Sequence, residues 1–350
     1  MSIDTLYRCT PRTAKALITD CLYAGLVPFL QSSPGIGKSS IMRQISDDLN
    51  LKMIDHRLST SAPEDMTGLP RFDADGMAYF APFVELFPVA GTPLPKDRNG
   101  WMIFLDEFNS APKSVQAASY KLLLDRMTGQ HHLHENVVLA AAGNLASDRA
   151  ITNNLSTAMQ SRLVHLELEE NFQEWLEDVA IPQKYDNRII AFLSQYPSRL
   201  MDFDPEHNEK TFCCPRTWEF MNRLLAVSGT KKEISVDKIP LYAGTITSGI
   251  AVEFVQFTKV FENLVNIRDV VNNPEEVPVP SEASIRWATV SHLIDKIDAK
   301  TMPALCTYIK RFPISFRILF LRSLVIRHPD LKEQPAWREA VVDLQKYTNS

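Results

Sequence analysis

Short apolar runs alternate with amphipathic stretches through the first half of the chain. The apolar runs, which predict buried strands, lie at residues 26–30, 51–56, 101–105, 137–142 and 163–168. Between them, apolar residues recur on one helical face, as Ile41, Ile45 and Leu49 do after the first run. Strands that alternate with helices predict an α/β fold, in which a parallel sheet carries helices on both faces. Pro28 fits the first strand only near its start, because proline cannot donate a ladder hydrogen bond.

The pattern changes near residue 170, beyond which only helical periodicity remains. Predicted helices cover residues 172–180, 187–201, 215–227, 240–265, 284–297, 303–327 and 335–347. Pro313 should break the sixth of these, and a proline-punctuated connector at 272–280 separates two helical groups. The predicted regions are therefore an α/β core at 1–169, a helical region at 170–270 and a helical C-terminal extension at 271–350.

Composition narrows the class of protein only slightly. The chain has 350 residues, of which 45% are hydrophobic and 23% are charged, as in ordinary globular proteins. The formal net charge of -5 gives no electrostatic footprint for nucleic acid, so a protein or small-molecule partner is favoured. Five cysteines without CxxC spacing argue against a disulfide framework or a zinc site. Because the chain shows no apolar signal core and no run of roughly 18 apolar residues, we expect a cytoplasmic protein.

A glycine-containing loop follows the first predicted strand and opens an amphipathic helix. Gly35 and Gly37 allow the backbone to turn its N–H groups inward, where the helix N-terminus adds its positive dipole end. Lys38 can reach the β- and γ-phosphates of ATP, and the Ser39 hydroxyl suits Mg²⁺. The full pattern is GxxxxGK[ST], and Ser32 stands where its first glycine would be. The residues expected to contact ATP are Ser33, Pro34, Gly35, Ile36, Gly37, Lys38, Ser39 and Ser40.

Two adjacent acids, Asp106 and Glu107, close the next strongly apolar run. Ligands of open parallel sheets bind at the carboxyl ends of the strands, so both acids should face that crevice. We expect Asp106 to hold Mg²⁺ together with Ser39, and Glu107 to orient and polarise the attacking water. The loop and the acids together predict a magnesium-dependent ATPase with a P-loop.

Asn144 and two arginines could complete such a site. Asn144 ends a buried strand, where it could orient the water or contact the γ-phosphate, or simply cap the following helix; the neighbouring motifs favour the first role. Arg162 lies between a helical stretch and the last strand, and Arg216 opens a later helix. Either could instead be a surface arginine, and Arg126 and Arg149 compete for the same roles.

Two further groups of reactive side chains are not predicted to be sites. His131, His132 and His134 have no acid or cysteine at a spacing that would confirm a metal site, so a surface hairpin is favoured. Cys213 and Cys214 have no histidine nearby in sequence that could activate a nucleophile, which favours two small, partly buried residues.

Taken in order, these segments resemble the motifs of the AAA+ ATPases. SSPGIGKSS resembles Walker A, WMIFLDEFNSAP Walker B, VVLAAAGN sensor 1, MQSRLVHLEL the arginine-finger segment and CCPRTWEF sensor 2. The phrase DEFNSAPKSVQAASYKLLLDRMTGQ is similar to the corresponding segment of the MoxR-like subgroup, near the dynein-related and McrB-like proteins. The resemblance covers residues 10–228.

The resemblance implies an αβα ATPase core, a helical lid and a homo-oligomeric ring, usually a hexamer, with ATP between subunits. It makes Asn144 the sensor 1 residue, Arg162 the arginine finger and Arg216 the sensor 2 residue. MoxR-like proteins act as chaperone-like remodelling motors, commonly with a partner that carries a von Willebrand factor A domain. A protein client and such a partner are therefore expected. Hairpins are implied at 70–90 and 127–138, where they could face the pore of the ring.

Two other functions stay open at this level. The chain could be an AAA+ nucleic-acid motor or loader, or a degenerate subunit that binds ATP as a structural switch. The intact Glu107 argues against the switch. The acidic balance, and the lack of a basic stripe interleaved with aromatic residues, argue against the nucleic-acid motor. Basic residues at 310–327 are spaced as on the face of a helix, which long cationic side chains often cover.

Overall fold

A computed structural model describes residues 6–148, 153–228, 234, 236–259 and 264–348. The chain forms two compact units, with the boundary between Glu170 and Asn171. Every strand among the described residues lies in the first unit. In chain order these are β1 (Arg8–Cys9), β2 (Val27–Ser32), β3 (Leu51–Arg57), β4 (Leu69–Phe72), β5 (Ala78–Ala81), β6 (Gly100–Asp106), β7 (Met127–Thr128), β8 (His131–His132), β9 (Val137–Asn144) and β10 (Leu163–Leu168).

Six of these strands form one parallel sheet, in the order β1-β10-β2-β9-β6-β3. Every neighbouring pair in this sheet is parallel, so all carboxyl ends lie at one edge. The strand that leads into the glycine loop, β2, is separated from the strand that ends in the two acids, β6, by β9 alone. This order places the ends of β2, β9 and β6 side by side.

Helices cover both faces of this sheet. The first unit contains α1 (Pro11–Tyr23), α2 (Lys38–Asp48), α3 (Pro63–Thr67), α4 (Lys113–Asp125) and α5 (Thr157–Gln160). Alternate residues of β6 divide between two cores, as side chains of a strand point to opposite faces. Met102 and Phe104 pack with apolar residues of α1 and α2, whereas Ile103 and Leu105 pack with those of α4. The predicted α/β sandwich is thereby confirmed.

The five predicted strands of the sheet are all present, with bounds within about two residues of those expected. Pro28 is the second residue of β2, near the strand start where its missing N–H is tolerated. The sequence reading missed β1, because two residues carry no detectable period. The helical stretch expected before Arg162 is short, since only Thr157–Gln160 is helical.

Two short hairpins lie outside the main sheet. The antiparallel pair β4–β5 forms one hairpin, and β7–β8 forms a second. The two hairpins touch, since the His131 ring lies 2.9 Å from the Phe80 carbonyl oxygen. Both hairpins implied by the family resemblance are therefore present.

The second unit is helical. It contains α6 (Phe172–Trp175), α7 (Asn187–Gln195), α8 (Pro215–Ser228), α9 (Ile239–Ile246), α10 (Ser248–Thr258), α11 (Ile267–Asn272), α12 (Ala283–Lys296), α13 (Met302–Lys310), α14 (Ile314–Arg327) and α15 (Pro335–Thr348). A π-turn, Leu176–Ala180, continues α6. The predicted break at Pro313 is confirmed. The predicted helix 240–265 is instead two helices, because Thr247 adopts a φ of 78° between them.

One hydrophobic cluster runs through this unit from Trp175 to Ala340. The predicted division into a lid and an extension at residues 270 and 271 stays a prediction. In the described part of the chain, none of the helices combines the length and the apolar run that a bilayer crossing requires.

Candidate nucleotide-binding site

The glycine loop joins the end of β2 to the start of α2. Gly35 and Gly37 adopt φ angles of 83° and 116°, in the left-handed region that favours glycine. Gly37 is the N-cap of α2, and Lys38 is its first residue. A helix N-terminus leaves its first N–H groups without helical acceptors, so this loop offers donors and a positive dipole end to an anion.

Ser32, at the position of the missing first glycine, takes part in holding Lys38. The Lys38 ammonium donates to the Ser32 hydroxyl oxygen at 2.9 Å and to the Ser32 carbonyl at 3.1 Å. The Ser32 side chain is fully buried and donates in turn to the carbonyl of Ser33 at 2.8 Å. The departure from the usual pattern therefore supplies an oxygen acceptor for the loop lysine.

Ser39 and Asp106 meet across the loop, as the sequence predicts. The Ser39 hydroxyl donates to Asp106 Oδ2 at 3.1 Å, and Asp106 Oδ1 accepts the N–H of Glu107 at 2.8 Å. Mg²⁺ prefers oxygen ligands at about 2.0–2.1 Å in octahedral geometry, which sets adjacent ligands about 2.9 Å apart. The spacing of the two oxygens fits this ion.

The charge of Asp106 also reaches the neighbouring strand β3. Burial, and then repulsion by Asp106, raises the pKa of Asp55 above its usual range. A cation bound near Asp55 would offset this repulsion.

Glu107 follows directly after β6 and adopts a φ of 55°. Its carboxylate accepts a hydrogen bond from the Ser59 hydroxyl and lies 3.5 Å from Arg57 Nε. Arg57 is the last residue of β3, the strand that pairs with β6, and Ser59 lies in the turn that follows β3. The sequence reading missed Ser59 and Arg57. They could have been found because they follow the predicted strand 51–56, whose carboxyl end lies at the same edge of a parallel sheet as the two acids.

Asn144 ends β9, between the loop strand and the acid strand. Its side-chain oxygen lies 3.4 Å from the Lys38 ammonium. The backbone of Asn144 is held by Asn109, whose amide nitrogen donates to the Asn144 carbonyl at 2.7 Å. The Asn144 side chain therefore points toward the end of the glycine loop, where Lys38 lies.

The structure brings five predicted residues together at the carboxyl edge of the sheet, namely Lys38, Ser39, Asp106, Glu107 and Asn144. The remaining predicted loop residues frame them, with Gly35 buried, Ser33, Pro34, Ile36 and Gly37 half-buried and Ser40 exposed. These predicted residues thus supply one cation, two acids, hydroxyls and an amide to the edge.

Within the described part of the first unit, the predicted arginines Arg126 and Arg162 bond to backbone carbonyls outside this cluster. Arg162 is exposed after α5 and donates to the carbonyl of Ala158 at 2.6 Å. Arg216 is exposed in the first turn of α8, in the second unit. Arg126 is half-buried and donates to the carbonyl of Val137, which gives it a structural role in the hairpin region. Arg149 lies outside the described residues.

The histidines and cysteines that were not predicted to be sites form no reactive cluster in the described part of the chain. Among the described residues, no three histidine, cysteine, aspartate or glutamate side chains converge in a way that could hold a metal ion. Cys213 is buried, its Sγ lies 2.9 Å from the Ile246 carbonyl, and burial raises its pKa far above the usual thiol value. A thiol in that state is a poor nucleophile.

A cavity of about 620 Å³ lies on the α4 face of the sheet. Gln31, Asn109, His165 and Glu167 are among its lining residues, whereas Lys38, Ser39 and Glu107 are not. The charged residues of the polar cluster therefore do not form this cavity.

No model of a known protein family matches the chain, and no curated protein matches it. Among solved structures, the chain is similar to a candidate ATPase from Cytophaga hutchinsonii at 13% identity and a TM-score of 0.33, over 96% of this chain and 88% of that one. It is also similar to a RuvB mutant of Thermotoga maritima at 14% identity and a TM-score of 0.36, over 83% and 86% of the two chains. At these scores the alignments are too loose to assign a function.

Proposed function

We propose that this chain is a magnesium-dependent ATPase of the AAA+ class. The observation that carries the proposal is the meeting of a loop lysine, a serine–aspartate pair and a second acid at adjacent strand ends. P-loop ATPases use these same chemical groups for phosphoryl transfer. The strand order supports the proposal, because it sets the Asn144 amide between the loop and the acids.

The loop would bind the β- and γ-phosphates of ATP. Lys38 now donates to two oxygens of Ser32, and phosphate oxygens are acceptors of the same kind with more negative charge. The first turn of α2 adds N–H donors, while Gly35 and Gly37 keep the backbone clear of side chains. Ser39 and Asp106 would hold Mg²⁺, which when bound neutralises charge on the phosphates.

Glu107 would position and polarise the water that attacks the γ-phosphate. Its half-buried carboxylate lies beyond Asp106, at the end of the same strand. Asn144 would orient the water or the γ-phosphate from the strand between. In such a reaction the protein contributes mainly positioning and charge stabilisation, because the chemistry needs no covalent intermediate.

A finer assignment, to a ring-forming remodeller of the MoxR-like type, is part of this proposal. It is supported by the motif order and by the two hairpins. In the first hairpin Phe72 is 74% exposed and Met77 is 68% exposed. Exposed apolar side chains that lie close together are typical of surfaces that bind another protein. A protein client and a partner with a von Willebrand factor A domain are proposed on the resemblance alone.

An AAA+ motor that acts on nucleic acid is the second candidate. The feature of the sequence that most favours nucleic-acid binding is the group of basic residues at 310–327. Three arginines of α14 are paired within the second unit, Arg317 with Asp343, Arg322 with Glu177 and Arg327 with Asp295. Paired arginines have less charge to offer phosphates, so we favour the protein remodeller. Several-fold stimulation of hydrolysis by DNA at physiological salt would reverse this ranking.

The central experiment separates nucleotide binding from turnover. Lys38→Ala should abolish ATP binding, because Lys38 contacts phosphate charge in the ground state. Glu107→Gln should keep binding and lose turnover, because Glu107 acts on the water. ATP affinity and steady-state phosphate release are measured for both, with the exposed Lys52→Ala and Glu135→Gln as matched controls. Normal turnover in the Glu107 variant would remove it from the catalytic role.

Ring formation is tested separately. Light scattering with and without ATP and Mg²⁺ should show a larger assembly with nucleotide, because ATP is proposed to lie between subunits. A strict monomer under both conditions at high protein concentration would rule out the ring.

A further inference from the structure

Asn109 makes a two-point contact with the backbone of Asn144. It lies in the 3₁₀ turn Phe108–Ser110, directly after the two acids, and is only 5% exposed. Its amide nitrogen donates to the Asn144 carbonyl at 2.7 Å, and its amide oxygen accepts the Asn144 N–H at 3.1 Å. One carboxamide thus satisfies both backbone groups of a residue 35 positions away.

The contact between Asn109 and Asn144 replaces the strand pairing on the β6 side of β9, at the point where that pairing ends. On one side of β9 the register with β2 extends to the pair Ser32–Asn144. On the other side the register with β6 ends at Leu105–Ala141. The strand β6 ends at Asp106 and does not continue beside Asn144. The Asn109 amide instead presents a donor and an acceptor to Asn144, as a neighbouring strand would.

Gly143 is matched to this contact. A Cβ atom at residue 143 would lie 2.3 Å from Asn109 Oδ1 and 2.8 Å from Asn109 Cγ. Such distances are far inside van der Waals contact, so the amide could not reach Asn144 past any larger residue. The glycine is required here for space.

We infer that Asn109 is a positioning residue, which fixes Asn144 for its role at the γ-phosphate. The inference rests on the proposed ATPase function. Asn109 holds the Asn144 backbone from one side, while the Asn144 side-chain oxygen lies 3.4 Å from Lys38 on the other. Both amide atoms of Asn109 bond to Asn144, so the loss of this side chain should act on the chemical step through Asn144.

The first test is Asn109→Ala, measured as kcat and as ATP affinity. A displacement of about 1 Å at a catalytic group can cost about 10²-fold in rate, so kcat should fall by about 10- to 100-fold. ATP affinity should change by no more than about twofold, because ground-state binding is left in place. The control is Gln116→Ala, which removes another buried amide, one that donates to the Ala111 carbonyl from α4. Its kcat should stay close to that of the parent protein.

A second variant guards against misfolding of the first. Asn109→Asp keeps the size and the acceptor oxygen but removes the donor to the Asn144 carbonyl. It should also lose kcat at retained ATP affinity. Near-parent kcat in both variants, or an equal loss in Gln116→Ala, would overturn the inference.

A double-mutant cycle with Asn144→Ala gives the decisive readout. If Asn109 acts through Asn144, adding Asn109→Ala to the Asn144 variant should lower kcat little further. Fully multiplicative losses would show an independent structural effect and overturn the inference. Failure of the proposed function looks different, since a parent protein that hydrolyses no ATP ends it outright. A parent that hydrolyses ATP and is impaired by Asn144→Ala but not by Asn109→Ala ends only the inference.

Discussion

Ser59 donates a hydrogen bond to Glu107, so the acid proposed to act on water is held by a side chain from outside its own strand. The other carboxylate oxygen of Glu107 lies 3.5 Å from Arg57 Nε. Both oxygens therefore have partners before any nucleotide is bound. The Ser59 hydroxyl would therefore compete with the attacking water for the Glu107 carboxylate.

Ser59→Ala should consequently raise basal ATP turnover. A hydrogen bond to a charged group contributes about 1.5 kcal/mol or more, so removing the competition should raise turnover by about tenfold. Ser59→Thr, which keeps the hydroxyl, should behave like the parent protein. Steady-state phosphate release at saturating ATP is the measurement. A fall in turnover with Ser59→Ala would show that Ser59 orients Glu107 for catalysis instead.

The Ser39 hydroxyl is expected to determine how much Mg²⁺ the reaction needs. Ser39→Ala removes one of two oxygens that fit the ion, while Asp106 remains. The Mg²⁺ concentration for half-maximal rate should rise by on the order of tenfold or more, as for other lost contacts to charged partners. Ser46→Ala is the matched control, because Ser46 lies in the same helix and donates to the Leu51 carbonyl instead. An unchanged Mg²⁺ requirement in the Ser39 variant would contradict the proposed metal site.

The strands and the central cluster could be predicted because they depend on local pattern and on one topological rule. Apolar runs mark buried strands, and parallel strands bring their carboxyl ends to a common edge. Those two facts suffice to bring Lys38, Ser39 and the two acids together.

The supporting contacts could not be predicted in the same way. Ser59, Arg57 and Asn109 act on residues 35–50 positions away, and no period or motif marks such pairs. Ser32 looked like a tolerable departure from the pattern, whereas its oxygens hold Lys38. The left-handed backbone of Thr247 breaks a helix where the sequence contains no proline or glycine at that position. Such features depend on tertiary packing, which a single sequence does not display.

His56 should make the protein less stable in mild acid. It is 8% exposed on β3, its ring lies 2.9 Å from the Ser61 hydroxyl, and burial lowers its pKa although Asp65 and Asp55 oppose the shift. The folded state therefore resists a proton that the unfolded chain accepts near pH 6.5. The contribution of neutral His56 to stability is complete above about pH 6.5 and decreases as the pH falls below it.

The expected result is a melting temperature that drops between pH 7.5 and 5 by less in His56→Gln than in the parent protein. His132→Gln provides the control, because His132 is exposed and should leave the pH dependence unchanged. Parallel pH profiles for all three proteins would show that His56 is not the group responsible.

Arg162 offers the sharpest test of whether the proposed ring shares its ATP sites between subunits. It is exposed, it follows the short helix α5, and its guanidinium donates to the carbonyl of Ala158 in its own chain. An arginine held so loosely is free to serve a neighbouring subunit. Where such an arginine neutralises transition-state charge, it contributes on the order of 10³- to 10⁵-fold in rate. Arg162→Ala should therefore bind ATP yet hydrolyse it poorly, and Arg162→Lys should rescue little, because lysine lacks the planar fork of donors.

Mixing two inactive proteins decides whether Arg162 acts in trans. An Arg162→Ala subunit keeps its Glu107, and a Glu107→Gln subunit keeps its Arg162. In a mixed ring, some ATP sites would combine an intact Glu107 from one subunit with an intact Arg162 from its neighbour, so partial hydrolysis should return. Recovery should scale with the fraction of such pairs as the mixing ratio is varied. If co-assembly is verified by pull-down of differently tagged subunits and the mixture still hydrolyses no ATP, Arg162 does not act across the interface. Arg149 would then be the next arginine to test in the same complementation assay.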